Sequence, residues 1–357
     1  MMYYPSRIQV IKYMPGPSED ECSCILAKSV PADIACLVTL GGALTNSPHT
    51  ANSYSHEIYS LVPKDIAPQV NLYSVAYDFG SYNRYLAREE LFNRTDKYIK
   101  SKYNNDPVMK KYLIDLYHTM QQKEPVPQYV QEIFNTFIYP RISPAHDINA
   151  TIKNLQRITF YAHCYGAVVL CQLSKYMHEQ MHDMGYTDPE ISQAQRAIFA
   201  VQHSPIAPLT THSFSTVSFA SAADVQMHKY SNMFSQWLLK NRGKIPPCFF
   251  DKPYGNFFIT DQLTELSFRE HEPLGLLKPN NQMWELTDNG EIIFSAERNA
   301  LVNMIRQSVI QCPQMTIADL VSGQNVNFAE MKKHGEELYK TMLGQLRRQN
   351  QAHGRQK

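Results

Sequence analysis

Short apolar runs recur along the chain, each closed off by glycine, proline or polar residues. They are RIQVIKYM (7–14), IACLVTLGGALTN (34–46), VNLYSVAYDFG (70–80), RITFYAHC (157–164), RAIFAVQHSP (196–205), STVSFASAAD (215–224) and NFFITDQL (256–263). Continuous apolar runs of this length, rich in β-branched and aromatic residues, are what a strand buried on both faces requires. Helical patterns lie between most of them, notably over 128–139, 147–156, 166–184 and 231–241. Strand and helix in alternation predict an α/β fold: a mostly parallel central sheet with right-handed crossovers and helices on its faces. Residues 83–127 break the rhythm, with two charged amphipathic helical patterns and no strand, and are expected to form a helical insertion over one end of the sheet, the alternative being an ordinary surface helical pair. GEIIFSAERNALVNMIRQSVI (290–310) continues the fold as strand or turn plus helix. The expected organisation is one domain over 1–312 and a helical C-terminal extension over 313–357. Its last stretch, LRRQNQAHGRQK, is polar and basic and is expected to fray.

Composition narrows the function classes. The chain has 357 residues, 43% hydrophobic and 19% charged, with Lys+Arg 34 against Asp+Glu 33. That length supports a large core, and the balanced charge gives no footprint for nucleic acid. The longest apolar runs fall well short of the roughly 20 residues that cross a bilayer, so no transmembrane segment is expected. The cysteines, Cys22, Cys24, Cys36, Cys164, Cys171, Cys248 and Cys312, form no CxxC pair and no Cys/His zinc spacing. No metal and no cofactor are expected, since GxGxxG and GxxxxGK[ST] are both missing. MMYYPSRIQVIKYMPGP lacks a basic segment leading into an apolar one, so the expected location is the cytoplasm, or the exterior by a route without a standard signal.

One turn concentrates the chemistry. RITFYAHCYGAVVLCQLSKYM (157–177) reads as a strand, a sharp turn and an amphipathic helix, with Cys164 on the turn between the small residues Ala162 and Gly166. Ligand chemistry in parallel sheets gathers at the carboxyl ends of strands. A residue on such a turn is pushed clear of the sheet, and its flanking positions must be small because the backbones crowd there. The following helix aims its first N–H groups and positive dipole end at the side chain, which favours a thiolate. The N–H of Tyr165 is placed to donate to an oxyanion. The alternative is a structural thiol, since free cysteine is among the most buried residue types; Cys171, two turns further along the helix, reads that way.

AHCYGA resembles the nucleophile elbow of the α/β-hydrolase superfamily, Gly-x-nucleophile-x-Gly, in which a histidine often precedes the nucleophile, as His163 does here. Ala162 stands for the first glycine and Cys164 for the usual serine. LVTLGGALTNSP (37–48) resembles the oxyanion loop that follows an early strand, with Gly42 or Ala43 as the second amide donor. VAYDFGSYN (75–83) resembles the Asp-x-x-Gly loop after the next strand. The likeness covers roughly residues 34–275. It implies an acid and a histidine in that order after the nucleophile: Asp224, ending STVSFASAAD, with Asp261 its rival, and His271 in the loop after NFFITDQL, with His203 and His228 its rivals. The implied activity is an esterase, thioesterase, lipase-like hydrolase or acyltransferase that uses a Cys-His-Asp triad and a covalent acyl-enzyme on a small-molecule or lipid acyl substrate. The insertion at 83–127 would be its lid. A hydrolase-fold binding protein without chemistry is the alternative, motivated by the two departures from the elbow pattern.

Overall fold

The computed structural model describes residues 8–15, 23–27, 29–42, 45, 47–59, 62, 64–77, 127–205, 213–220, 224, 237–238, 240–241, 244–251, 256–259, 285–286, 292–293, 296–310, 315–322 and 326–354. The expected insertion at 83–127 lies outside them except for Pro127. Each apolar run is a strand. β1 (Ile8–Met14), β2 (Ser23–Leu26), β3 (Ala35–Leu40), β4 (Val70–Tyr77), β5 (Ile158–His163), β6 (Phe199–His203), β7 (Ser215–Ala220), β8 (Cys248–Phe250) and β9 (Phe257–Ile259) form one sheet in the order β2-β1-β4-β3-β5-β6-β7-β9-β8. The ladder from β4 through β3, β5, β6 and β7 to β9 is parallel; β1 runs antiparallel to β2 and β4, and β8 antiparallel to β9. The fold is therefore α/β with a mostly parallel central sheet. β2 and β8, at its two edges, were not foreseen from the sequence.

The helices are α1 (Pro48–Tyr59), α2 (Gln128–Ile133), α3 (Ile148–Leu155), α4 (Gly166–Asp183), α5 (Asp188–Arg196), α6 (Ala296–Ile310), α7 (Ile317–Val321) and α8 (Phe328–Gly354). A short antiparallel pair, Glu285–Leu286 with Ile292–Ile293, precedes α6. Strand side chains alternate between the faces, and the central strands are buried on both. Ile158, Phe160 and Ala162 of β5 join one core with α2, α3, α4 and α5; Tyr161 joins the other with α1, α6 and α7. Asp147 caps α3 by accepting from the Ala150 N–H at 3.1 Å, and Thr187 with Glu190 forms a capping box at the start of α5.

Arg141 is fully buried. It donates to the carbonyls of Phe137 (2.7 Å), Pro31 (2.8 Å) and Ile34 (3.2 Å), and lies 3.6 Å from the Cys36 sulfur. The guanidinium thus pins the end of a π-helical turn, Phe134–Ile138, to the loop that leads into β3. Burial pushes the Cys36 thiol above its ordinary range, against the opposing pull of Arg141, so the neighbour of this arginine is a neutral thiol.

The edge strand β8 is covered by α8. Phe328 and Met331 pack into the core on one face of the sheet, and Leu338, Tyr339, Met342 and Leu343 into the core on the other, so the helix crosses the sheet edge between them. Gly335 stands at the crossing, where a Cβ would lie 1.8 Å from the Phe249 carbonyl oxygen. Covering an edge in this way hides backbone groups that would otherwise pair with another chain. The helix continues to Gly354, through most of the stretch whose composition suggested fraying. No described helix is long and apolar enough to cross a membrane. Gly335→Ala should lower stability by about 2 kcal/mol or more, despite the better helix propensity of alanine, because the contact is with rigid backbone; urea denaturation measures it.

Candidate functional site

The site follows from strand register. In the β3/β5 ladder Leu40 lies opposite Ala162, and in the β5/β6 ladder His163 lies opposite His203. The residues that follow these pairs therefore emerge side by side at the carboxyl ends of the central strands. They are Gly41 and Gly42 after β3, Cys164 after β5 and Ser204 after β6.

Cys164 turns the chain from strand into helix at φ 53°, in the left-handed region, and Ser204, directly after β6, has φ 45°. Non-glycine residues rarely sit there, at a cost on the order of 1–3 kcal/mol when the surroundings impose it. The surroundings of Cys164 do impose it. Its N–H donates to the His203 carbonyl at 3.1 Å, continuing the β5/β6 ladder, and its carbonyl accepts from the Ala167 N–H at 3.2 Å, opening α4. Gly166 then passes over β3 so closely that a Cβ would stand 2.2 Å from the Leu40 carbonyl oxygen. Only glycine fits at that position, as the small-residue spacing of AHCYGA anticipated. Cys164 is a free thiol, part exposed, at the N-terminal end of an 18-residue helix. Cys171 is also part exposed, against the expectation of a core residue.

The loop after β3 is strapped down. The Tyr77 hydroxyl donates to the Gly41 carbonyl, and the Tyr77 N–H donates to the Thr45 carbonyl at 3.0 Å. Tyr77 is fully buried. Burial first, then the neighbouring Tyr54, Cys164 and Tyr165, hold its hydroxyl well above the ordinary phenol range, so it stays a donor. At Gly42 a Cβ would come 3.4 Å from the Cys164 Cβ and 3.4 Å from the His163 Nδ1, which is ordinary contact. The Gly42 N–H donates to the Tyr54 hydroxyl at 3.2 Å, and that hydroxyl lies 2.9 Å from the His163 Nδ1.

The structure thus brings together Cys164, Tyr165, Gly42, His163 and His203, whose ring centroid is 5.6 Å from that of His163. Asp224 is fully buried, four residues after the end of β7 in the chain. Ala43, His228, Asp261 and His271 lie outside the described residues. Tyr54 and Tyr77 were not singled out from the sequence. Tyr77 ends a recognisable strand, but Tyr54 sits in the polar helix PHTANSYSHEIY, where no spacing marks one tyrosine over another. Among the described residues, no group of three His, Cys, Asp or Glu side chains is arranged to hold a metal ion. Comparison with protein-family models and with curated proteins gives no match.

Two outcomes test this geometry. Gly166→Ala should cost about 2 kcal/mol or more in urea denaturation, and Gly42→Ala less than about 1 kcal/mol, since only the first drives a Cβ into backbone. Cys164→Gly should raise stability by about 1 kcal/mol, because glycine adopts φ 53° without strain; a loss on that scale would show that the thiol contributes packing that outweighs the backbone cost.

Proposed function

We propose that the chain is an α/β-hydrolase-like acyl hydrolase or acyltransferase with Cys164 as its nucleophile. The observation that carries this reading is the left-handed backbone of Cys164 on the tight turn between β5 and α4, with Gly42 placed so that a Cβ on it would stand 3.4 Å from the Cys164 Cβ. Strain held in place at a strand end is a recurring property of nucleophile-bearing turns. The sheet order supports the same reading: an antiparallel strand next to β4, then β4-β3-β5-β6-β7, with the elbow after the strand at the centre of the parallel ladder.

In this mechanism the Cys164 sulfur adds to the acyl carbon of an ester, thioester, lactone or lipid acyl group. The thiol proton passes to a histidine: His203 stands next to the turn, and His271 is the residue implied by chain order. The carbonyl oxygen becomes an oxyanion, met by the N–H of Tyr165 and by an amide of the 41–43 loop. The leaving group departs with the electron pair of the broken bond, and the thioester left on Cys164 is then cleaved by water or by an acceptor. Asp224 would orient the histidine. The candidate oxyanion loop is fixed by Tyr77 before any substrate arrives, and donors held in advance need no rearrangement as charge develops.

Incubation with p-nitrophenyl butyrate should add one butyryl mass to the intact protein, at Cys164, with a burst of p-nitrophenolate. Cys164→Ala should abolish both. No acyl adduct in the wild type, or an unchanged burst in Cys164→Ala, would leave the chain as a hydrolase-fold binding protein.

A further inference from the structure

The Tyr54 hydroxyl joins the two halves of the site, the loop after β3 and the turn after β5. It accepts from the Gly42 N–H at 3.2 Å and lies 2.9 Å from the His163 Nδ1. A phenol has one proton and two lone pairs. The Gly42 N–H can only donate, so it takes one lone pair of the Tyr54 oxygen, and the phenol proton can be given to the His163 Nδ1. A directed chain, Gly42 N–H to Tyr54 O–H to Nδ1, serves all three groups and places the ring proton of His163 on Nε2. His163 is almost fully buried, at 6% exposure, and its ring is packed beside both Tyr54 (centroids 5.8 Å apart) and His203.

The loop does not depend on this bond for its shape, because Tyr77 already anchors it through the Gly41 and Thr45 carbonyls. What the Tyr54 hydroxyl does at Gly42 is occupy the acceptor place on the amide. Gly42 lies beside the turn, a Cβ on it standing 3.4 Å from the Cys164 Cβ, and in the acyl-transfer reading its amide would bind the carbonyl oxygen of an acyl group attacked by the sulfur. We propose that Tyr54 is a positioning residue with two tasks: it fixes the tautomer of His163, and its oxygen stands in at the Gly42 amide until the oxygen of an acyl substrate displaces it. The second task rests on the acyl-transfer reading above. Exchange of one neutral hydrogen bond for another makes the displacement cheap, and the hydroxyl keeps its contact with His163 while it yields Gly42.

The test is Tyr54→Phe, which keeps the ring and removes the oxygen. With ¹⁵N-labelled histidine and glycine, wild-type His163 should show its proton on Nε2. The variant should show a mixed tautomer and hydrogen exchange at Gly42 faster by about 5-fold or more. In the p-nitrophenyl butyrate reaction, thiolate sulfur bonds to the acyl carbon, the C–O bond breaks, p-nitrophenolate leaves, and the thiol proton is lost to the base. The variant should acylate about 2–10-fold faster, the range that corresponds to one weak hydrogen bond. Alkylation of Cys164 by iodoacetamide, which forms no oxyanion, should be unchanged. Slower or equal acylation would overturn the stand-in role. Unchanged Gly42 exchange with an unchanged His163 tautomer would overturn the whole proposal. If the wild type does not acylate at all, the acyl-transfer reading and the stand-in role fall together, and the nitrogen and exchange spectra alone decide whether Tyr54 sets His163.

Discussion

At the centre of the sheet Gly166 passes close over the Leu40 carbonyl, where a Cβ would stand 2.2 Å from the oxygen. This approach sets where the helix after β5 can lie against β3, and through that helix where Cys164 stands. Leu40 and Ala162 are register partners, so the strand ends they belong to leave the sheet together. A Cβ at 166 would push α4 away from the sheet, and with it the cysteine from the loop at 41–42. The strained backbone at Cys164 persists because the ladder bond to His203 on one side and the first turn of α4 on the other leave it no relaxed alternative.

Around this contact, polar groups are placed as ties at the carboxyl ends of the strands. Tyr77 fastens the loop after β3 from within the core, and its burial keeps the phenol protonated and donating. Tyr54 reaches from α1 to both Gly42 and His163. Arg141 does comparable work at the other end of β3, where three carbonyls receive its guanidinium and hold the entry to the strand. Each tie satisfies groups that would be costly to leave unmet in a dry interior. Together they hold β3 at both ends.

Much of this architecture was legible in the residues. The strands buried on both faces read as uninterrupted apolar runs, and β1, β3 to β7 and β9 follow from them. The close packing at Gly166 was legible too, since a small residue two places after Cys164 is a local requirement of a tight turn. The edge strands were not. SCIL and CFF are too short to carry a pattern, and their pairing is decided by what lies alongside. The start of α5 carried a signal of its own, T-D-P-E at 187–190, which is a capping box in plain sequence. The ring contact between His163 and His203 and the bridge at Tyr54 were beyond any local reading, because they join residues 40 and 109 positions apart.

The sequence by itself determined the class of fold and the turn on which Cys164 sits, because periodicity, β-branching and the need for a small residue at 166 act over a few neighbours. Tertiary structure alone decided what meets that turn. Register places His203 beside His163, packing brings Tyr54 to Gly42, and α8 crosses the β8 edge at Gly335. Each of these is a contact between distant segments, fixed by which strands pair and which faces are covered rather than by any local preference of the chain.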